Sequence, residues 1–301
     1  MKEKDFLESI PAIAKFFRLG AVIETTAAGG DANANYFVET TRGSFFVKIV
    51  LEHHTFANKL NEVVYVNYAA DSGVPCPPYL ASRHGGFIYR DSKVMAMAQR
   101  RVAGAHPRIC PKNVAIVAGH LGKMHQIPFS ALPYRYGWFS PEYIDRNLAR
   151  LRREFSGNKN GRAILKAYES CEGFVRNVLP NLPKSMIHGD AHSENVLFRG
   201  GQLIAFVDWE DSTIGPSLLD FAISVTDLCF PKGTFKPELY RAFYWGYIKE
   251  SPLTRIEIEH INDCMRYVGV VQTMWRFLKF GRKAYLGGLK LNKWRAPEPA
   301  A

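Results

Sequence analysis

The chain has 301 residues, of which 47% are hydrophobic and 22% are charged, and its formal net charge is +11. This composition excludes a disordered or fibrous protein, and the length predicts one large two-lobed domain or two domains. No run of about 18 apolar residues is present, so the sequence predicts no transmembrane helix and no membrane partner.

The N-terminal region is expected to form a short helix over residues 1–20 that ends at Gly20. Its charged start lacks an apolar segment with a small-residue cleavage site, so no signal peptide is predicted.

The cysteines are odd in number and lack metal-ligand spacing, which favours free thiols. They are Cys76, Cys110, Cys171, Cys229 and Cys264. We therefore expect a cytoplasmic protein.

The next region is predicted to be a sheet. Three strands are expected over residues 22–26, 35–40 and 44–50, with a hairpin turn between the last two. Strands joined by such short turns form an antiparallel sheet, unlike the parallel strands of a Rossmann unit. Further strands are predicted over residues 79–82, 86–89 and 94–97.

A glycine pair, Gly29 and Gly30, lies in the loop between the first two strands. Backbone amides at the tip of such a loop can approach phosphate groups closely, because no side chain intervenes. A permissive turn without a ligand explains the pair equally well. The loop is not a Walker A motif, since no Gly-Lys-Ser/Thr follows it. Both glycines are candidate nucleotide-binding residues.

Lys48 lies inside the otherwise apolar strand segment of residues 45–50. Its ammonium is expected to contact nucleotide phosphates while a carboxylate on a helix holds it. Glu62 is the preferred partner, because it lies in a helix predicted over residues 55–71. Glu52 is a competitor that follows the strand too closely to sit on that helix. A lysine on a solvated strand face is the alternative.

The chain breaks at Gly104 and Pro107, after becoming polar, so we predict an N-terminal lobe of residues 1–98 and a C-terminal lobe of residues 99–301. The second lobe is expected to be helical and to begin with a helix at Pro111. Further helices are predicted over residues 141–155, 162–179, 217–230, 236–249 and 254–280.

Asp190, Asn195 and Asp208 have the spacing of a phosphoryl-transfer site. Asp190 is expected to receive the proton of the acceptor hydroxyl, whereas Asn195 and Asp208 are expected to supply oxygen ligands to magnesium. The residues between the two ligands resemble a hairpin with a turn at Gly200-Gly201, which would bring the ligands together. A simple turn is the alternative interpretation of the His-Gly-Asp tripeptide.

His188-Gly189-Asp190 with Asn195, followed by Asp208-Trp209-Glu210 and Asp220, resembles the aminoglycoside phosphotransferase and choline kinase superfamily of small-molecule kinases. Residues 195–198 are most similar to the homoserine kinases of this fold. The resemblance covers most of the chain. It implies an α+β, protein-kinase-like two-lobed fold with an antiparallel N-terminal lobe and a mainly helical C-terminal lobe. It also implies ATP-dependent phosphorylation of a hydroxyl on a small metabolite or drug.

The same resemblance assigns further residues. It implies that the backbone near Met97 to Gln99 bonds the adenine, and that Asp220 ties the catalytic loop in place. If the acceptor is an amino acid such as homoserine, Arg135 is a candidate to bind its carboxylate. Trp209-Glu210 departs from the homoserine kinases, so aminoglycoside and choline or ethanolamine acceptors stay open.

Three polar residues of the second lobe receive no catalytic role. His125 is interpreted as a packed or capping histidine, and His192 as a variable loop position. Asp211 could line the acceptor site or cap the helix that follows.

Two other functions remain as alternatives. A catalytically silent binding protein could share the fold, although the presence of Lys48, Asp190, Asn195 and Asp208 argues against it. A protein kinase needs an activation loop, but only twelve positions separate Asp208 from Asp220. A basic C-terminal stretch fits a solvated helix better than a nucleic-acid interface, because no nucleic-acid module accompanies it. The sequence does not determine the oligomeric state.

Overall fold

The computed structural model describes residues 3–29, 33–51, 55–134, 137–281, 288–289, 291 and 294–297. The chain divides into two compact units, Met1–Ala105 with Ile204–Glu210, and His106–Leu203 with Asp211–Ala301. The first unit therefore takes in a late segment that the predicted lobe boundary assigns to the helical lobe. Within the described residues, no helix has the length and apolarity that crossing a membrane requires.

The first unit contains an antiparallel five-stranded sheet, which confirms the predicted type of sheet. Its strands are β1 (Val22–Ala27), β2 (Ala34–Thr40), β3 (Gly43–Val50), β4 (Tyr89–Arg90) and β5 (Met95–Arg100), in the spatial order β1-β2-β3-β5-β4. The pair Thr40 and Gly43 closes the hairpin of β2 and β3, so Thr41 and Arg42 form a two-residue turn.

Helix α1 (Glu3–Phe16) packs against this sheet. Ile10 and Ile13 recur at helical spacing and form one apolar cluster with Val38 and Val47 of the strands. The helix ends before the predicted end at Gly20, because Arg18 has a φ of +59°, which cannot continue a right-handed helix.

Helix α2 (Phe56–Asp71) confirms its prediction, and the hydroxyl of Thr55 accepts the Asn58 amide as an N-terminal cap. The strands predicted over residues 79–82 and 86–89 are wrong, apart from an isolated bridge at Tyr79 and the short strand β4. The Ser82 hydroxyl accepts two amides of its own turn in place of a strand partner.

The second unit is mainly helical, as predicted. Its helices are α3 (Pro111–His125), α4 (Pro141–Phe155), α5 (Lys159–Glu169), α6 (Glu172–Asn177), α7 (Ser217–Leu228), α8 (Pro237–Ile248) and α9 (Arg255–Phe280). The single helix predicted over residues 162–179 is wrong. Asn158 caps α5 at an earlier start, and the Ser170 hydroxyl bonds the Ala167 carbonyl where that helix ends.

Two small sheets complete the structure. The strand β6 (Lys184–Ile187) pairs with β9 (Thr213–Pro216), a pair that was not predicted from the sequence. The strands β7 (Val196–Arg199) and β8 (Gln202–Phe206) form the predicted hairpin. Gly200 and Gly201 have φ values of +60° and +78°, as a tight two-residue hairpin turn requires.

Candidate active site

Lys48 is the centre of a buried charge network in the first unit. It lies in β3, the strand between β2 and β5, and only 3% of its side chain is exposed. Its ammonium is 3.1 Å from Glu62 Oε1 and 3.2 Å from Asp208 Oδ1. Burial alone would lower the pKa of Lys48, but the carboxylates of Asp208 and Glu62 outweigh it and raise that pKa well above its ordinary value. The lysine is therefore a fixed cation.

Glu62 is the fully buried carboxylate on α2 that holds this lysine. Its Oε1 also accepts the Tyr79 hydroxyl at 2.5 Å. Burial by itself would raise the pKa of Glu62, but Lys48 and Lys59 lower it to about 2. The carboxylate is therefore ionised at neutral pH. The competing candidate, Glu52, lies outside the described residues.

Asp208 follows β8 in an unusual backbone conformation. Its φ is +58°, a left-handed value that only a few per cent of non-glycine residues adopt. The next residue, Trp209, is buried, and its indole donates to the Phe206 carbonyl at 3.1 Å. This anchor holds the turn, so the Asp208 carboxylate remains 53% exposed while it contacts Lys48. In this arrangement the exposed carboxylate can bind a metal ion, while the neighbouring ammonium can bind a phosphate group.

Two further members of the network were not predicted from the sequence. Lys59, on α2, is 1% exposed and lies 2.9 Å from Glu62 Oε2 and 3.0 Å from Glu210 Oε1. Glu210 also lies 3.5 Å from the Lys48 ammonium. A lysine three positions before a glutamate on the predicted helix was the available signal, but the same spacing is common on exposed helices.

The glycine loop is described only in part. Gly29 has a φ of +77°, and its carbonyl accepts the Asn35 side-chain amide at 3.0 Å. Gly30 lies outside the described residues. Beyond it, Asn33 donates to Glu210 Oε2 at 2.6 Å and links the end of this loop to the charge network. The assignment of both glycines to the nucleotide stays a prediction.

Met97 and Gln99 lie within β5, where they pair with Lys48 and Phe46 of β3. The Gln99 side chain donates to the Pro77 carbonyl at 2.6 Å, which explains the burial of this polar residue. Backbone groups inside a strand pair are engaged in the sheet, so residues beyond the end of β5 at Arg100 are better placed to bond a base. The nucleotide contacts of Met97 and Gln99 stay a prediction.

The second unit carries Asp190 on a tightly anchored loop after β6. The buried Asp220 carboxylate accepts the His188 amide at 2.6 Å and the Gly189 amide at 2.8 Å. Gly189 has a φ of +82°, and a Cβ there would overlap the Asp211 carbonyl. The loop conformation therefore requires both glycine at 189 and a carboxylate at 220.

The Asp190 carboxylate is oriented through one of its two oxygens. Asn195 donates to Asp190 Oδ2 at 3.0 Å and to the Asp190 carbonyl at 2.9 Å. His192 Nε2 lies 3.2 Å from the same Oδ2. Since the Glu194 amide donates to His192 Nδ1, the neutral ring carries its hydrogen on Nε2 and donates to Asp190. His192, predicted to be a variable loop position, is thus a contact of Asp190.

Residues that are distant in sequence also hold the Asp190 loop. His125, buried at the end of α3, contacts the Tyr247 hydroxyl at 2.6 Å and Asp220 Oδ2 at 3.2 Å. This confirms that His125 is a packed histidine. The Ser224 hydroxyl donates to the Ala191 carbonyl at 2.5 Å. These bonds fix the backbone on both sides of Asp190, as a positioned base requires.

An aromatic segment before α4 reaches the same loop. The Trp138 indole donates to the Gly189 carbonyl at 2.9 Å, and its ring lies edge-on to Trp275 at 6.4 Å. Burial and the nearby Asp211 carboxylate raise the pKa of the Tyr143 hydroxyl. Arg135, the candidate for binding an acceptor carboxylate, lies outside the described residues. Aromatic rings and an acidic residue therefore lie near the Asp190 loop.

Comparisons with known proteins identify the family of the chain and its relatives. A model of the phosphotransferase enzyme family matches residues 24–252 of the chain. A homoserine kinase of Pseudomonas aeruginosa is 28% identical over 276 residues, and the match covers 86% of this chain and 81% of that protein.

Solved structures also resemble the chain. An amicoumacin kinase in complex with AMP-PNP, Ca2+ and Ami has a TM-score of 0.78 at 16% identity, covering 95% of this chain and 89% of that chain. A microcompartment-associated aminopropanol kinase has a TM-score of 0.69 at 15% identity, covering 93% of this chain and 92% of that chain. These likenesses establish the two-lobed, kinase-like α+β fold. Because the family match covers most of its length, the chain belongs to the phosphotransferase enzyme family.

Proposed function

We propose that this chain transfers the γ-phosphate of ATP, in the presence of Mg2+, to a hydroxyl of a small molecule that also carries an amino group, with homoserine as the first candidate. The observation that carries the proposal is the Lys48 ammonium, buried between the carboxylates of Glu62 and Asp208. Phosphoryl transfer depends on positioning and on stabilising charge, which is what a fixed, buried cation supplies. A cytoplasmic location is part of the same proposal.

Lys48 would contact the nucleotide phosphates. Its raised pKa keeps the ammonium charged at every physiological pH, so the phosphates always meet a cation. Glu62 is fully buried, so it would hold the lysine without itself binding the metal ion. Gly29 and Gly30 are proposed to bring backbone amides to the same phosphates, and backbone groups near Met97 and Gln99 or just beyond them to bond the base.

Asp208 and Asn195 are the residues proposed to hold a divalent cation, and both fit that role. The Asp208 carboxylate is half exposed and ionisable, and the Asn195 amide nitrogen is engaged by Asp190, which leaves the amide oxygen to face a cation. Hard cations prefer such oxygen ligands. When bound, Mg2+ would neutralise charge on the phosphates.

Asp190 would act as the base. His192 and Asn195 both donate to Oδ2, so Oδ1 is the oxygen that can receive the proton of the acceptor hydroxyl. The anchored loop would hold that oxygen in place and orient the hydroxyl for in-line attack.

The proposed acceptor class rests on two lines of support. The relatives at 28% identity are homoserine kinases, and one structural neighbour is an aminopropanol kinase. Both named substrates carry an amino group and a hydroxyl. Near the Asp190 loop, aromatic rings and the acidic Asp211 would favour an ammonium group on the acceptor. Aminoglycosides and choline also carry cationic nitrogen and therefore belong in the test.

The test is a nucleotide-consumption assay with ATP and GTP, each with Mg2+, across homoserine, aminopropanol, ethanolamine, choline and several aminoglycosides. We expect turnover with ATP and an acceptor that carries an amino group, and turnover about 10²- to 10⁴-fold lower in an Asp190→Asn control. Product phosphorylation is confirmed by mass spectrometry. Binding of ATP without turnover on any acceptor would favour a silent binding protein, and absence of nucleotide binding would refute the proposal.

A further inference from the structure

Lys59 is a second buried lysine close to Lys48, and the proposed transfer gives it no role. Only 1% of its side chain is exposed, and its ammonium is paired with Glu62 at 2.9 Å and Glu210 at 3.0 Å. A buried ammonium is costly unless carboxylates surround it. Lys59 has two such partners, so its position is set by charge as well as by packing.

The carboxylates that pair with Lys59 are shared with Lys48. Glu62 directs Oε1 to Lys48 and Oε2 to Lys59. Glu210 lies nearer to Lys59, with Oε1 at 3.0 Å, than to Lys48, with Oε2 at 3.5 Å. Each lysine therefore takes one oxygen from each glutamate, and Lys59 makes the shorter contact to both.

This sharing determines how strongly Lys48 is neutralised by the protein itself. Lys48 faces the carboxylates of Asp208, Glu62 and Glu210. Two lysines against three carboxylates give this network a formal charge of −1, and without Lys59 it would be −2. A polyanionic nucleotide would then approach a more negative site, where Glu210 would compete with its phosphates for Lys48.

We infer that Lys59 is a positioning residue for nucleotide binding, which holds Glu210 and one oxygen of Glu62 so that the Lys48 ammonium stays available to phosphate. The inference rests on the proposed function and deepens it. Lys59 acts through the glutamates, because its own ammonium is enclosed. Asn33 holds the other Glu210 oxygen at 2.6 Å, so Glu210 is fixed from two sides when Lys59 is present.

The experiment measures the affinity of the full chain for AMP-PNP with Mg2+ by titration calorimetry, together with melting temperature. Lys59→Met removes the charge and keeps an unbranched apolar side chain, whereas Lys59→Arg keeps the charge. Comparing the AMP-PNP affinity of Glu210→Gln with that of the double variant Lys59→Met/Glu210→Gln tests whether Lys59 acts on affinity through Glu210. Lys123→Met, at a largely exposed lysine of the second unit, controls for the loss of net charge.

We expect Lys59→Met to lose AMP-PNP affinity by about tenfold, Lys59→Arg to retain it, and Lys123→Met to match the parent. In the Glu210→Gln background, Lys59→Met should change affinity by less than about threefold. If Lys59→Met does not fold, Lys59→Gln, which also removes the charge, replaces it in both comparisons. Parental affinity in a folded Lys59→Met with a lower melting temperature would overturn it, as would an undiminished loss in the Glu210→Gln background. Failure of the parent to bind AMP-PNP would instead refute the proposed function.

Discussion

The charge network around Glu62 makes the stability of the protein depend on pH in a defined direction. Lys48 and Lys59 lower the pKa of this buried carboxyl, against the effect of burial, from 4.5 to about 2. The difference between these pKa values corresponds to about 3 kcal/mol of unfolding free energy. A lowered folded-state pKa gives stability that is present above the unfolded-state value and is lost as pH falls through the folded-state value.

The loss should therefore begin near pH 4.5 and continue to about pH 2. By pH 3 it amounts to about 2 kcal/mol of unfolding free energy, from the ratio of protonated states. Glu62→Gln cannot titrate, so it should be less stable than the parent by about 3 kcal/mol at pH 7. The difference between parent and variant should shrink by about 2 kcal/mol at pH 3.

Urea denaturation of both proteins at pH 7, 5 and 3 measures this difference. Glu39→Gln is the matched control, because Glu39 also pairs with a cation in the first unit, Arg101, but both side chains are about 40% exposed. Its difference from the parent should stay small at all three pH values. A difference between Glu62→Gln and the parent that is the same at pH 7 and pH 3 would refute the reasoning.

Two further predictions concern the backbone conformations of the site. Asp208→Asn should still fold, since asparagine also adopts positive φ, although its melting temperature should fall because the buried Lys48 loses a charged partner, and its affinity for Mg-ATP should fall by about tenfold or more because the site loses a charge. Equal calorimetric affinities for parent and variant would contradict this role. Gly189→Ala should lose about 1–3 kcal/mol of unfolding free energy and most of its turnover, because the added Cβ meets the Asp211 carbonyl. Parental stability in urea would show that the loop tolerates a side chain.

Local signals in the sequence accounted for several elements. The predicted bounds of α2, α4 and α9 nearly match the observed ones, and these helices begin at or directly after Thr55, Pro141 and Thr254, residues that favour helix starts. The paired glycines, Gly200 and Gly201, specified the hairpin because few other residues adopt positive φ twice in succession. The strands predicted around Ser82 were wrong, because the serine hydroxyl accepts backbone amides of its own turn.

The contacts of the site were harder to predict, because they join residues that are distant in sequence. His125 and Asp220 are 95 positions apart, and the sequence around neither residue indicates that the two are in contact. Lys59 and Glu62 have the spacing of an exposed helical ion pair, yet both are buried. Burial depends on what packs over the helix, which periodicity in α2 alone does not reveal. The sequence around His192 is likewise that of a solvated loop residue, although its ring contacts the Asp190 carboxylate.

The most direct test of the proposed phosphoryl transfer is to measure turnover, ATP affinity and melting temperature on one preparation of Asp190→Asn. The amide oxygen of the variant can keep the hydrogen bonds from Asn195 and His192, while its nitrogen replaces the oxygen that would receive the proton. We expect turnover to fall by about 10²- to 10⁴-fold, with ATP affinity and melting temperature close to those of the parent. A folded variant with near-parental turnover would contradict the assignment of Asp190 as the base.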